Sequence, residues 1–399
     1  MIADLHCHYP MHLLGEDVPP STTFDHMLRM RRRPRWLDRL RALILRAAAR
    51  RLDYRNASST WRVSFDGLER ARTGLVLSVL YEPFAEIDLD EPPQADPEDG
   101  YFADLREHLD RVEDELARID PQRARHVVAR SASDLDDALA SGRMAFVHCV
   151  EGGFHLGRTP ESIAANVGEL ARRGVAYVTL AHLFYRGIAT NAPALPFLPD
   201  RVYDAIFCQP RRRGLSDLGR AAVRAMYEQR ILVDLSHMRA DAIAETLELL
   251  AELDREHDAD PTDFPVIASH SGYRFGDQAY MLDRDTIAEI ARRDGVIGLI
   301  LARHQLQDGR SDGEGIAHTV ETIRAHVDEI HAITGSHDFV AIGSDLDGFI
   351  KPTMSAIEAS EDLAALEDPL RDAYAADADK ILSANALRVV RRALAGRPS

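Results

Sequence analysis

ILVDLSHMRADAIAETLELLAELDREHDADPTDFPVIASHS, residues 231–271, contains one complete unit of the fold. It begins with a short apolar run, Leu232–Leu235, that delivers Ser236 and His237 at its end. Its middle, Ala240–Arg255, repeats apolar residues at i, i+3 and i+4, the rhythm of a helix with one face on a core. A second apolar run, Val266–Ser269, then delivers His270. Strand, amphipathic helix and strand in this order predict two parallel strands joined by a crossover.

The alternation continues in both directions. Strands are expected at Ile2–His6, Gly74–Leu80, Ala145–Val150, Ala176–Ala181, Val296–Leu301 and Phe339–Gly343 besides the two already named. Further helices are expected at Pro160–Arg173, Asp217–Gln229, Arg284–Arg293 and Gly315–Ile333. Eight strands suit an α/β chain closed as a (β/α)8 TIM-type barrel, read as one domain over residues 1–399. No GxGxxG follows the first strand, which argues against a dinucleotide-binding open sheet. Two stretches break the rhythm. Residues 26–56, HMLRMRRRPRWLDRLRALILRAAARRLDYRN, are strongly basic, and residues 24–63 are expected to form a helical insertion after strand one, packed on the barrel rim. Residues 187–213 carry four prolines and are expected to form a long loop near the site.

Composition narrows the partners. The 399 residues are 45% hydrophobic and carry a formal net charge of -17, which disfavours nucleic acid or an anionic membrane as the main partner. Three cysteines, Cys7, Cys149 and Cys208, occur without CxxC spacing, so neither a disulfide framework nor a structural zinc knot is expected. The N-terminal MIADLHCHYP has no signal-peptide pattern and apolar runs elsewhere are strand-sized, so a cytoplasmic enzyme is expected.

In such barrels, chemistry sits at the C-terminal ends of the strands. Here those ends carry His6-Cys7-His8, His148-Cys149-Val150-Glu151, His182, His237, His270 and Asp345 with Asp347. Each has a bland reading alone: a satisfied imidazole, or a turn-forming acid in GSDLDG. Together they predict a metal centre, because imidazole and carboxylate are the ligands of catalytic zinc and HxH on a strand points both rings to one side. A carboxylate between two histidine pairs can bridge two ions, and a further acid can move the proton of the attacking water. His304, His318, His326, His331 and His337 fall on helices or their edges and are read as surface residues. His148 and His155 are left without a role.

The stretches VEGGFHLG, VAYVTLAHL, GLSDLGRAAVRAMYEQRILVDLSHM, PVIASHSGYR, DGVIGLIL, VAIGSDLDGF and SANALRVV resemble, in the same order, the membrane (renal-type) dipeptidase family, the M19 metallopeptidases of the amidohydrolase superfamily. The resemblance covers most of the chain from about Asp66 onward. It implies a zinc-dependent hydrolase of dipeptides or similar small amides, with two ions, and it suggests a homodimer. It implies Glu151 as the bridging carboxylate, with His6 and His8 at one ion and His237 and His270 at the other. It further implies His182 as the group stabilising the oxyanion and Asp345 as the acid/base. The family opens its site with His-x-Asp, whereas this chain has His6-Cys7-His8. Where the family carries an Arg clamp for the substrate carboxylate, this chain reads FGDQAYML with Tyr280 near the expected place; Arg274 with Tyr273 beside it, or Arg186, is the candidate substitute. The opening DLHCH also resembles PHP-type phosphoesterases and TatD-type nucleases, which leaves a metal-dependent phosphoesterase, an amidohydrolase acting on another amide or a lactone, or a non-catalytic binding barrel as alternatives.

Overall fold

Parallel strands covered on both faces read as apolar runs, because neither side meets water. In the computed structural model, β2 (Thr73–Leu80, TGLVLSVL) and β4 (Met144–Glu151, MAFVHCVE) are buried at every position. Residues 1–14, 36, 39–40, 43, 61–86, 97, 100–195, 198–210, 214–348 and 353–397 are described. The remaining strands are β1 (Ile2–Cys7), β3 (His126–Val128), β5 (Tyr177–Thr179), β6 (Leu232–Asp234), β7 (Val266–Ser271), β8 (Val296–Leu299) and β9 (Val340–Ile342). All pairings are parallel, and β1 bonds both β2 and β9, so the ring closes in the order β1-β2-β4-β5-β6-β7-β8-β9. This is the eight-stranded barrel expected from the sequence, with all eight expected strands in it.

The ninth strand, β3, pairs only with β4 among the described residues and stands outside the ring. Alternate residues divide into two cores. Leu75, Leu77 and Val79 of β2 meet Ala145, Val147 and Cys149 of β4, Ile267 of β7 and Ala341 of β9 inside the barrel. Val76, Leu80, Phe146 and Val150 belong to the layer under the helices. Glu151 continues the parity of Ala145, Val147 and Cys149, which turns its carboxyl toward the barrel axis.

The helices Pro160–Arg172, Asp217–Gln229, Ala240–His257, Arg284–Arg292 and Gly315–Thr334 agree with expectation to within two residues at each end. The stretch 187–213 is not one long loop, since Asp200–Ile206 is a helix. Pro199 starts it and Tyr203 and Phe207 pack beside Phe184, so apolar contact overrides the turn signals. The basic stretch expected at 24–63 lies outside the described residues, apart from the helical positions Trp36, Arg39, Leu40 and Leu43 and residues 61–63. Cys7, Cys149 and Cys208 form no disulfide among the described residues. Among the described residues, no helix is long and apolar enough to cross a membrane.

Candidate metal centre

The catalytic end of the barrel brings the strand-end residues together around Glu151. The β4–β5 ladder ends at the Glu151–Thr179 pair, beyond which the Thr179 and Leu180 carbonyls accept the Gly152 and Gly153 amides (2.9 and 3.2 Å). Gly152 has φ +95°, and a Cβ there would stand 2.3 Å from the Phe154 ring, so the chain can leave Glu151 this sharply only through glycine. Five imidazole Nε2 atoms then surround the buried carboxylate. His8 and His182 lie 3.3 Å from Oε2, His237 and His270 lie 3.4 Å from Oε1, and His6 lies 3.5 Å from Oε1. Asp345 Oδ1 stands 3.2 Å from His8 Nε2 and 3.8 Å from His6 Nε2.

The donor set fits divalent cations. Both Glu151 oxygens are buried and accept no well-directed hydrogen bond. The Nε2 atoms of His6 and His8 are 3.2 Å apart and those of His237 and His270 are 2.9 Å apart. Two ligands at zinc–nitrogen bond length subtend an edge of about 3.3 Å in a tetrahedron, so these spacings suit shared ions. Three overlapping ligand groups satisfy mutual approach: His6, Glu151 and His270; His6, His8 and Asp345; and Glu151, His182 and His237.

Fixed partners hold the rings from behind. His6 Nδ1 lies 2.9 Å from both Tyr177 Oη and Ser269 Oγ, and His270 Nδ1 lies 2.8 Å from Ser269 Oγ. Two buried acids latch neighbouring strands beneath them. Asp234 accepts from Ser236, Ser269 and Thr179, while Asp4 accepts from Ser344 and the His6 amide. His237 and Asp345 both adopt positive φ, +63° and +56°, the uncommon backbone region that clusters at functional sites. Gly348 makes room for that arrangement: a Cβ there would fall 1.8 Å from Asp345 Oδ1 and 2.5 Å from the His8 ring.

The electrostatics follow from crowding without water. Burial opposes ionisation of Glu151, yet the surrounding imidazoles, His182 and His6 first, hold it well below the usual carboxylate range. Burial pushes Asp345 up to about 7 against the pull of His8. For His8, burial opposes the charge, but Asp345 and Glu151 raise it to about 10. Burial pushes His6 and His270 well below their ordinary value.

The residues considered for substrate contact are placed differently. The Arg274 guanidinium donates to the Met281 and Ala279 carbonyls (2.7 and 3.2 Å), tying its own loop. Arg186 donates to the Glu86 carbonyl, and Tyr280 Oη donates to the His270 carbonyl (2.7 Å). The Tyr273 amide donates to His326 Nδ1 (3.0 Å). His326 is therefore not a surface residue: it is fully buried, with Nε2 also 2.8 Å from the Leu306 carbonyl. Both ring nitrogens of His304 are buried as well, beside a cavity of about 740 Å3 whose walls include Pro193, Leu195, Leu198, Asp200 and Gln278. His155 is buried beneath the site and His148 faces Glu113 at 3.6 Å, neither in a metal-capable group. Glu86, whose carboxyl lies 2.6 Å from His182 Nδ1, went unmarked in the sequence, as did Asp4, Asp234, Tyr177 and Ser269.

The profile of the membrane dipeptidase family, peptidase family M19, matches residues 27–397, which leaves His6 and His8 outside the matched stretch. Dipeptidase verJ of Clonostachys rogersoniana is 26% identical over 299 residues, covering 74% of this chain and 66% of its own, so the chain spans just under two thirds of that relative. A solved dipeptidase AC of family M19 superposes with a TM-score of 0.65 at 20% identity, over 90% of this chain and 97% of that one. A metallo peptidase from Rhodobacter sphaeroides, solved with a phosphinate mimic of the dipeptide L-Ala-D-Ala, does so with a TM-score of 0.64 at 21% identity, over the same shares.

Proposed function

Since the chain belongs to the membrane dipeptidase family, peptidase family M19, we propose that it is a zinc-dependent hydrolase of dipeptides or closely related small amides. The observation that carries this reading is the Glu151 carboxylate, buried, without a directed hydrogen bond and ringed by five imidazole nitrogens. His6 and His8 would hold one divalent ion and His237 and His270 a second, with Glu151 common to both. When bound, such ions supply Lewis acidity, which generates a nucleophile from water near neutral pH and polarises the scissile carbonyl.

The chain's own residues do the rest. Asp345, whose Oδ1 lies 3.2 Å from His8 Nε2, takes a proton from the attacking water and returns it to the leaving amine. His182 presents Nε2 beside Glu151 and stabilises the oxygen of the attacked carbonyl. The walls of the site, built from the ends of separate strands, exclude bulk water. The Arg274 guanidinium is committed to the Met281 and Ala279 carbonyls, so a free substrate carboxylate draws on it only if it exchanges those partners.

Elemental analysis of purified protein, combined with a panel of dipeptides, N-acyl amino acids, lactones and simple phosphoesters, tests this reading. Two zinc ions per chain with dipeptide turnover are expected. Phosphoester hydrolysis without amide hydrolysis at matched metal loading would overturn it in favour of a phosphoesterase. Stoichiometric metal without turnover of any substrate would leave a binding barrel.

A further inference from the structure

We propose that Glu86 is a positioning residue for the reaction, locking the imidazole of His182 so that its Nε2 faces the carbonyl under attack. The role presupposes the amide hydrolysis proposed for this site. Glu86 ends the short helix Pro83–Glu86 that follows β2, and it is fully buried. Its Oε2 accepts from Tyr81 Oη and His182 Nδ1, both at 2.6 Å, and its Oε1 accepts from the Phe184 amide at 2.7 Å. Every neighbour of the carboxylate is thus a donor. Burial opposes its ionisation, yet these contacts, His182 foremost, hold it below the usual carboxylate range.

An imidazole whose Nδ1 proton is bound to a carboxylate has one orientation left. His182 Nε2 accordingly points inward, 3.3 Å from Glu151 Oε2. The ring is also packed against Tyr81 and His237, each edge-on with centroids 4.5 Å away, which restricts its rotation. The other histidines around Glu151 are held differently. His6 and His270 meet hydroxyls at Nδ1, while among the described residues the Nδ1 atoms of His8 and His237 have no hydrogen-bond partner. His182 is the ring among these five whose outer nitrogen meets a carboxylate. That support is apt for a group that must meet developing negative charge in fixed geometry, since the carboxylate both orients the ring and stabilises positive charge on it.

Glu86 also fastens the segment after β5 to the segment after β2, through the Phe184 amide and its own carbonyl, which accepts from Arg186. A purely architectural role must therefore be separable from positioning, and a double-mutant cycle separates them. Glu86→Gln, His182→Ala and the double variant are compared for kcat, KM, metal content and Tm on whichever dipeptide the wild type cleaves best. Glu86→Gln is expected to lower kcat roughly 10- to 100-fold, as loss of an outer-shell partner does, with KM, metal content and Tm near wild type. The double variant is expected to be no slower than His182→Ala. Additive losses, or a loss confined to KM, would overturn the proposal.

Proton NMR of the histidine-labelled holoenzyme reads the same contact without substrate. A downfield imidazole N–H resonance is expected in the wild type and absent from both single variants. Persistence of that signal in Glu86→Gln, or its absence from the wild type, would also overturn the proposal. The wild-type and His182→Ala spectra decide the matter even if Glu86→Gln does not fold. Failure of every amide substrate would defeat the proposed function while leaving this resonance as the test of the pair.

Discussion

The two sides of Glu151 are built on one plan but finished to different degrees. On the β6–β7 side, Asp234 Oδ1 accepts from the Ser236 amide, the Ser236 hydroxyl and the Ser269 amide, and Oδ2 accepts from the hydroxyls of Ser269 and Thr179. The backbone around His237 and His270 is tied as well, with the Ala192 amide on the His237 carbonyl (2.7 Å) and Tyr280 Oη on the His270 carbonyl (2.7 Å). On the β1–β9 side, Asp4 accepts from the Ser344 amide and hydroxyl and from the His6 amide, at a longer 3.2 Å. The backbone is tied here too, with the Asp345 amide on the His6 carbonyl (2.8 Å) and the His8 amide on the Leu346 carbonyl (3.1 Å), and among the described residues the Nδ1 atoms of His8 and His237 alike lack a hydrogen-bond partner. Outer hydrogen bonds set ligand orientation and basicity. The β6–β7 side is accordingly the more firmly latched anchor, with five hydrogen bonds on Asp234 against three on Asp4, and the β1–β9 side is the half with a group, Asp345, left to move protons.

The most severe way to break this comparison is to remove the element both sides share. Glu151→Ala is expected to abolish turnover and to empty both halves of metal, measured by elemental analysis after exhaustive dialysis. Retention of both ions would sink the bridging role, and retention of one would show that the sides bind independently. Asp345→Asn probes the β1–β9 side alone. It should cost about 10²- to 10⁴-fold in kcat, the range of general acid–base catalysis, with metal content nearly unchanged. A variant that keeps wild-type kcat would show that the proton moves through another group.

The asymmetry between the sides was only partly legible in the sequence. HxH at a strand end, and single histidines after LVDLS and IAS, could be read because strand periodicity fixes which face they share and the barrel fixes where strand ends meet. Asp4 and Asp234 carried a readable signal, an acid inside an apolar strand, since such a charge must be buried and partnered. Glu86 carried none. It reaches His182 across 96 residues, and nothing in PFAE distinguishes it from a surface acid. His326 was misread for a related reason: its helix position suggested solvent, but its neighbours are the Tyr273 amide and the Leu306 carbonyl from distant loops. The strand β3, His126–Val128, stands outside the ring and offers only Val127, Val128 and Ala129 as an apolar run, between Arg125-His126 and Arg130.

A smaller effect sharpens the contrast through pH. Burial raises Asp4 to about 6 in the folded chain, against about 3.9 unfolded. The folded state therefore holds a proton that the unfolded state has released between those values, and stability falls as pH rises from about 4 to 6. Two units correspond to roughly 2–3 kcal/mol. In metal-free protein, Asp4→Asn should be free of this loss, so the variant gains on the wild type across that window. Denaturant titrations at pH 4 and pH 7 measure it; parallel pH profiles for the two proteins would show that Asp4 is not held protonated.

The last and smallest effect compares the two latches directly. Asp234→Asn keeps shape but turns one acceptor oxygen into an NH2 group, which faces either two hydroxyls, at Ser269 and Thr179, or two amides and a hydroxyl. Hydroxyls can rotate to accept, so the strands stay joined, while the negative charge behind Ser269 is lost. Ser269 Oγ touches both His6 Nδ1 and His270 Nδ1, so its weakened polarisation reaches a ring on each side. Metal affinity should fall roughly 10-fold, near the lower end of what outer-shell changes cost, and Asp4→Asn should cost less because the Ser344 hydroxyl bonds Asp4 and the His6 carbonyl rather than an imidazole. Competition with a chelator, followed ion by ion, gives the ranking. If Asp4→Asn releases metal more readily than Asp234→Asn, the β6–β7 side is not the anchor, and the denser hydrogen bonding around Asp234 serves strand joining alone.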